Sequence, residues 1–281
     1  MIKVQYICHA SILITINGKT ILTDPWIKGS CFANCLWIYP PPKIKAKDLG
    51  KVDYIYFSHA HEDHFQLESI KEILKYNRNT KIIIPKFNNG WFTKLVKKVG
   101  FKNILEIPHN GKLEISKNSY VQIFINDLGE IDSSILIKSH SDEIFLQTDN
   151  LMSLKESKRI GKNNNIFLSF LIPSATGIYP GLFEYDFQKT KKMALKKKID
   201  FFNYILKIAK NLNSNFNIPY ANDLCYFDDL FYLNKLNSFE KRDFVEYLQK
   251  KSVPSFIMNA NDYVVIKNRK IVKKKISLNS L

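Results

Sequence analysis

The stretch FSHAHEDHF, residues 57–65, constrains this chain more than any other. It holds three of the chain's six histidines, with Glu62 and Asp63 between them, directly after the apolar run VDYIYF. Imidazole nitrogens bind zinc or iron at about 2 Å, and two ions in a shared centre sit about 3.5–4 Å apart. A loop leaving a buried strand can aim alternate side chains in a common direction. His59 and His61 can then meet on one ion, while Asp63 and His64 turn to a second beside it and Glu62 faces away. A chance cluster of solvated residues is the alternative, and the spacing His-x-His-x-Asp-His between a strand and a helix argues against it.

The rest of the chain supplies a scaffold for such a loop. SILITINGKTILTDPW places Asn17-Gly18 between two apolar strands, the sequence of a type I′ hairpin turn. Residues 27–50, with YPPPK inside them, read as a long irregular segment. LESIKEILKY and WFTKLVKKVG carry apolar residues at helical spacing, with Gly100 as a stop. Between 103 and 149 the pattern is strand after strand. A long helix is expected over about 188–213 and another over SFEKRDFVEYLQKK, capped by Ser238, before a C-terminal hairpin rich in lysine. No repeat or linker divides the chain. The expectation is an α/β protein of two packed sheets with outer helices, residues 1–281 forming one domain.

Composition narrows the function classes. The net charge of +16 comes almost wholly from lysine, with arginine only at 78, 159, 242 and 269. Arginine is the residue of bidentate phosphate contacts, so its scarcity argues against dedicated nucleic-acid readout. The lysine excess still suits an anionic small molecule. The four cysteines form no Cys-x-x-Cys and no Cys-x-His pair, which leaves a zinc ribbon and a Rieske centre without ligands. No apolar run is long enough to span a membrane, and a cytoplasmic protein is expected.

SHAHEDH after VDYIYF resembles the metallo-β-lactamase fold superfamily. HASILI at 9–14 and ILTDPW at 21–26 look like the opening hairpin of the branch with ascorbate-phosphate lactonases and N-acylphosphatidylethanolamine phospholipase D. The resemblance implies an αββα sandwich of two mixed sheets. It also implies that Asp149, ending IFLQTDN, bridges the two metals. PSATGIYPGLFEY, NFNIPYANDLCYF and SFIMNANDYVVIKNRKI are similar to the catalytic region of CMP-N-acetylneuraminate hydroxylases. That likeness implies iron-dependent oxygenation of an anionic nucleotide sugar with electrons from a Rieske centre. That centre would have to be absent or come from another protein, an external reductase.

The chain departs from the full hydrolase pattern, because nothing beyond residue 140 is a histidine. Asp127, just after YVQIFIN, is the expected oxygen ligand where the fold places a further histidine, and Asn222 or Asp223 are candidates for the missing late ligand. His140 reads as a solvated turn residue and His109 as structural. Asp24 is expected to orient a ligand imidazole and His9 to contact substrate.

The metal set expected is therefore His59, His61, Asp63, His64, Asp149 and Asp127, with Asp63, Asp24 and His9 as catalytic candidates. It would hold two divalent cations, zinc first, with iron or manganese as alternatives. The leading expectation is a hydrolase in which metal-activated water attacks an ester or phosphoester of an anionic substrate, such as a sugar phosphate or nucleotide sugar. A non-haem iron monooxygenase and a non-catalytic binding protein on a degenerate enzyme fold are the rivals.

Overall fold

The structure, a computed structural model, describes residues 1–129, 131–174, 179–236 and 240–277. The chain opens with β1 (Ile2–Cys8), β2 (Ser11–Ile16) and β3 (Lys19–Thr23). Asn17 and Gly18 both take positive φ between β2 and β3, the backbone that the Asn-Gly turn requires. Residues 27–50, expected to be irregular, contain β4 (Ser30–Cys31) and β5 (Leu36–Ile38). β4 and β5 pair with each other, and the other edge of β5 pairs with residues 224–226, a contact that no local pattern announces. β6 (Tyr54–Tyr56), α1 (Leu67–Tyr76), β7 (Lys81–Pro85), α2 (Trp91–Lys98) and β8 (Ile104–Ile107) follow as a β-α-β-α-β run. Then come β9 (Lys112–Ser116), β10 (Ser119–Ile125), β11 (Ser133–Ser139) and β12 (Asp142–Leu146).

Next is α3 (Leu154–Asn163), which the apolar pattern does not announce. Its signal lies at its start: Ser153 caps it by accepting from the Glu156 amide, in a Ser-x-x-Glu sequence. β13 (Leu168–Leu171), α4 (Phe187–Leu212), β14 (Phe216–Pro219), β15 (Leu224–Tyr226), α5 (Leu233–Leu236), α6 (Lys241–Gln249), β16 (Tyr263–Lys267) and β17 (Lys270–Lys275) complete the chain. Ser238, the expected cap of α6, lies outside the described residues, and Glu240 occupies the cap position.

One sheet runs β17-β16-β1-β2-β3-β6-β7-β8, antiparallel up to β3 and parallel from β3 to β8. The second runs β14-β13-β12-β11-β10-β9, parallel at the β12–β13–β14 end. They face each other over one core that takes Ile12, Ile55 and Ile83 from the first and Ile123, Ile135 and Phe145 from the second. α1 turns Ile70 and Ile73 inward and α2 turns Phe92 and Val96 inward. α3 packs on α4, and α4 on β13. This is the expected α/β sandwich of two mixed sheets with outer helices. A third, three-stranded sheet, β15-β5-β4, stands over a small separate core of Trp26, Cys31, Leu36, Tyr226 and Leu233.

The α3–α4 contact is close enough to require glycine at 161, where a Cβ would sit 1.9 Å from the Asn211 carbonyl oxygen. Backbone on the far side cannot rotate away as a side chain can. Gly161→Ala gains helix propensity but overpacks this contact, and should cost about 2 kcal/mol net. A melting temperature lower by about 4–8 °C is expected, and an unchanged melt would show that the helices part freely.

Candidate metal centre

One edge of the sandwich gathers five chain segments. The β1–β2 corner brings His9, the residue after β3 is Asp24, the loop after β6 carries 59–64, the β10–β11 loop brings Asp132, and the turn after β12 presents Asp149. Three positions at this edge take positive φ: His9 (46°), Asp24 (34°) and Thr148 (56°). Such backbone is unfavourable for non-glycine residues, most of all for β-branched threonine, and persists where neighbours over-determine it. Thr148 is so held: its amide donates to the Tyr220 hydroxyl, and its own hydroxyl donates to the Ser133 carbonyl. The result turns Asp149 toward the histidine loop.

Asp24 organises two of the imidazoles. It is fully buried and accepts from the Ser58 amide at 2.8 Å, the Ser58 hydroxyl at 2.6 Å and His64 Nδ1 at 2.9 Å. The Ser58 hydroxyl, its proton given to Asp24, accepts from His59 Nδ1 at 2.9 Å. Both rings thus turn Nδ1 toward a fixed partner and Nε2 into the cluster, the orientation a metal ligand needs.

Two sets of donor atoms result. In the first, His59 Nε2 lies 2.8 Å from His61 Nδ1, 3.7 Å from Asp132 Oδ1 and 3.8 Å from Asp149 Oδ2. In the second, His64 Nε2 lies 3.3 Å from Asp149 Oδ1 and 3.7 Å from Asp63 Oδ2. Asp149 offers one oxygen to each set, as a bridging carboxylate would. The triads His59–His61–Asp132, His59–His64–Asp149 and His9–Asp63–His64 each place their donor atoms within 4.8 Å of one another.

The electrostatics of the cluster suit a cation. Burial, with the charge of His64 adding to it, pushes the His59 imidazole down to about 3, so it is a neutral nitrogen donor. Burial, reinforced by Asp149, pushes the Asp132 carboxyl up to about 7. Burial alone would raise Asp149 too, but His64 beside it holds this carboxyl well below the usual range. His64 is the mirror case: burial opposes its charge, and Asp149 and Asp63 overcome that and raise it. Among the described residues, the buried side-chain atoms with no hydrogen-bond partner are His9 Nδ1 and Nε2, Asp63 Oδ1, His64 Nε2, Asp132 Oδ1 and Asn150 Oδ1. All but the last belong to this cluster. Buried polar atoms are rarely left unpaired, and divalent cations would satisfy these.

The structure therefore brings together His59, His61, Asp63, His64, Asp149 and Asp24, and adds His9 to them. It does not place Asp127, expected among the ligands, in this cluster. The Asp127 carboxylate accepts from the Ser153 amide at 2.8 Å and from the Ser153 hydroxyl, and so ties down the start of α3. Asp132, five positions on, occupies the place foreseen for it. The sequence signal was the start of β11 rather than the end of β10: the loop runs past Asp127 before turning back into the sandwich. His109 accepts from the Ile125 amide, and His140 lies in the β11–β12 turn, at the other end of β12 from Asp149. Asn222 accepts from Ser174, and Asp223 reaches the His9 backbone rather than the cluster.

Known proteins share this architecture. Residues 3–131 match the family model of a beta-lactamase superfamily domain. The solved structure of CmlA, a diiron beta-hydroxylase from Streptomyces venezuelae, superposes with a TM-score of 0.66 at 15% identity, covering 94% of this chain and 54% of that one. Igni18, a metallo hydrolase from Ignicoccus hospitalis, superposes with a TM-score of 0.65 at 15% identity, covering 95% of this chain and 98% of that one. The chain has the metallo-β-lactamase fold. Within that fold it is similar in sequence to cytidine monophosphate-N-acetylneuraminic acid hydroxylase, at 25% identity over 228 residues in Xenopus laevis and 24% in Mus musculus. The match takes in 78% of this chain but 38% and 39% of those relatives, so the chain spans about two fifths of their length.

Proposed function

We propose that this metallo-β-lactamase-fold chain is the catalytic part of a two-iron oxygenase that hydroxylates an anionic nucleotide sugar. The observation that carries this reading is the make-up of the first donor set. His59, His61 and Asp132, with Asp149 shared, give two imidazoles and two carboxylates, a thiolate-free nitrogen-and-oxygen set compatible with non-haem iron. The similarity to hydroxylases acting on a cytidine monophosphate sugar supports the substrate class. Iron bound here would supply the reductive activation of dioxygen. Hydroxylation consumes one dioxygen, two electrons and two protons for each C–H bond converted to C–OH, with the second oxygen leaving as water. Residues 1–281 hold no Cys-x-x-Cys or Cys-x-His pair, so the electrons come from a donor site outside them.

The chain's own part is to hold donors and admit substrate. Asp24 and Ser58 fix the ligand tautomers. His61 is exposed, which marks the open side of the centre. The Phe32 ring stands edge-on to His61 at 6.4 Å between centroids, on a turn whose Phe32, Ala33 and Asn34 all take positive φ. Glu62 accepts from the Phe32 amide and anchors that turn to the histidine loop. Trp37 and Phe227 pair beside it, giving an aromatic rim on which a base or sugar face can rest. The lysine excess attracts the phosphate. Among the described residues no helix is long and apolar enough to cross a membrane, and free thiols at all four cysteines suit a reducing cytoplasm.

Hydrolysis by metal-activated water, with zinc or manganese, is the second reading. It is favoured by solvent access at the shared carboxylate, since the Asp149 side chain is 35% exposed. A binding protein on a degenerate fold is disfavoured by the orphaned donor atoms, which no ligand-free role would require. Iron-loaded protein, given a chemical reductant, labelled dioxygen and CMP-N-acetylneuraminate, should yield a product heavier by one labelled oxygen atom. Label arriving only from water, with zinc- or manganese-loaded protein cleaving the substrate without dioxygen, would replace oxygenation by hydrolysis.

A further inference from the structure

The two donor sets are unequal if only the histidine loop, Asp132 and Asp149 are counted. The first has two imidazoles. The second has His64 alone, because the chain carries no late histidine. The geometry points to His9 as the missing nitrogen: we infer that His9 is a direct ligand of the second cation, supplied from the start of the chain instead of its end. This rests on the two-cation reading above.

Three observations carry it. First, His9 is 1% exposed, its Nδ1 has no hydrogen-bond partner, and its Nε2 meets only the Asp63 carboxylate, without hydrogen-bond alignment. A buried imidazole that only packs would be expected to make well-aligned hydrogen bonds. Second, its donor atom is in reach of the right partners. Nε2 stands 3.3 Å from Asp63 Oδ2, and the donor atoms of His9, Asp63 and His64 all fall within 4.8 Å of each other. With Asp149 Oδ1, these make a set of two imidazoles and two carboxylates, matching the first set residue type for residue type. Third, the ring is aimed by its surroundings. Trp26 meets it edge-on at 5.2 Å between centroids, and the His64 ring lies at 5.4 Å.

The backbone of His9 is clamped in a way that explains its left-handed φ. Its amide donates to Asp223 Oδ2 at 2.9 Å, and its carbonyl accepts from the Ala221 amide at 2.9 Å. Asp223 is held by a buried pairing with Lys241 at 2.6 Å and by the Tyr6 hydroxyl at 2.7 Å, while Lys241 also donates to Tyr6 at 2.9 Å. The late part of the chain thus reaches the second cation by positioning His9, not by ligating. Asp223 and Lys241 are positioning residues.

Cobalt(II) is the probe, because its visible spectrum reports the donors around each ion. The wild-type chain is expected to bind two cobalt ions. His9→Ala should keep the first and bind the second at least about tenfold more weakly, with a changed spectrum for that ion alone. His61→Ala should weaken the other ion instead. Free imidazole should restore the second ion to His9→Ala. His9→Phe, which keeps a ring against Trp26 but offers no nitrogen, guards against a folding defect and should behave like His9→Ala without imidazole rescue. Two cobalt ions bound as in wild type by both His9 variants would overturn the assignment. A wild-type chain that binds no cobalt would instead overturn the two-cation reading itself.

Discussion

Asp149→Ala should empty both donor sets at once. Its two oxygens face different imidazoles, Oδ1 at 3.3 Å from His64 and Oδ2 at 3.8 Å from His59, so it offers an oxygen to each donor set. Loss of residues that merely orient ligands costs about 10–100-fold in metal affinity, and loss of a shared ligand should exceed the upper figure for each ion. Elemental mass spectrometry should find about two cations per wild-type chain and fewer than about one in the variant. In the metal-free protein the two effects of the substitution oppose, since it relieves Asp132 of a neighbouring charge but takes from His64 a carboxylate partner. Added metal should raise the melting temperature of wild type and leave the variant unmoved, since only a binding native state is stabilised. Equal metal content in the two proteins would remove Asp149 from the centre.

Asp24→Ala should show the opposite pattern, damaging the fold before the metals. This carboxylate is fully buried and serves three donors, the Ser58 amide, the Ser58 hydroxyl and His64 Nδ1. Removing it leaves those donors unpaired in the interior, for about 3 kcal/mol or more of stability, measurable by denaturation in chelator. His59 and His64 also lose the group that fixes their tautomers, so metal affinity should fall by about 10–100-fold. Asp24→Asn separates the parts. Asparagine tolerates the same positive φ, but its amide nitrogen must face a donor and cannot satisfy all three. Ser58→Ala removes only the relay to His59 and should cost about 1 kcal/mol. An Asp24→Ala protein with wild-type stability and metal content would show that the imidazoles orient themselves.

The sequence exposed the parts of the site that are local. The histidine loop, the hairpin turn at Asn17-Gly18 and the strand running into Asp149 each declare themselves within a few residues, because spacing and turn chemistry act over that range. Asp132 did not. Choosing between it and Asp127 depends on how far the β10–β11 loop travels before re-entering the sandwich, and tertiary packing decides that. The pairing of β5 with β15 joins Trp37 to Cys225, and no local pattern reports a contact across that separation. His9 was visible as a residue of interest, but its role depends on Asp223 and Lys241, more than 200 positions away. α3 was legible in principle: Ser153 and Glu156 spell its cap, while its apolar face is too sparse for periodicity to show.

The central claim is a pair of cations side by side, bridged by Asp149. Anomalous diffraction at the metal's absorption edge, from a crystal of the metal-loaded chain, tests it most directly. Two peaks about 3.5–4 Å apart are expected. One would lie among His59, His61 and Asp132, and the other among His64, Asp63 and His9. A single peak, or none at this edge of the sandwich, would contradict the account.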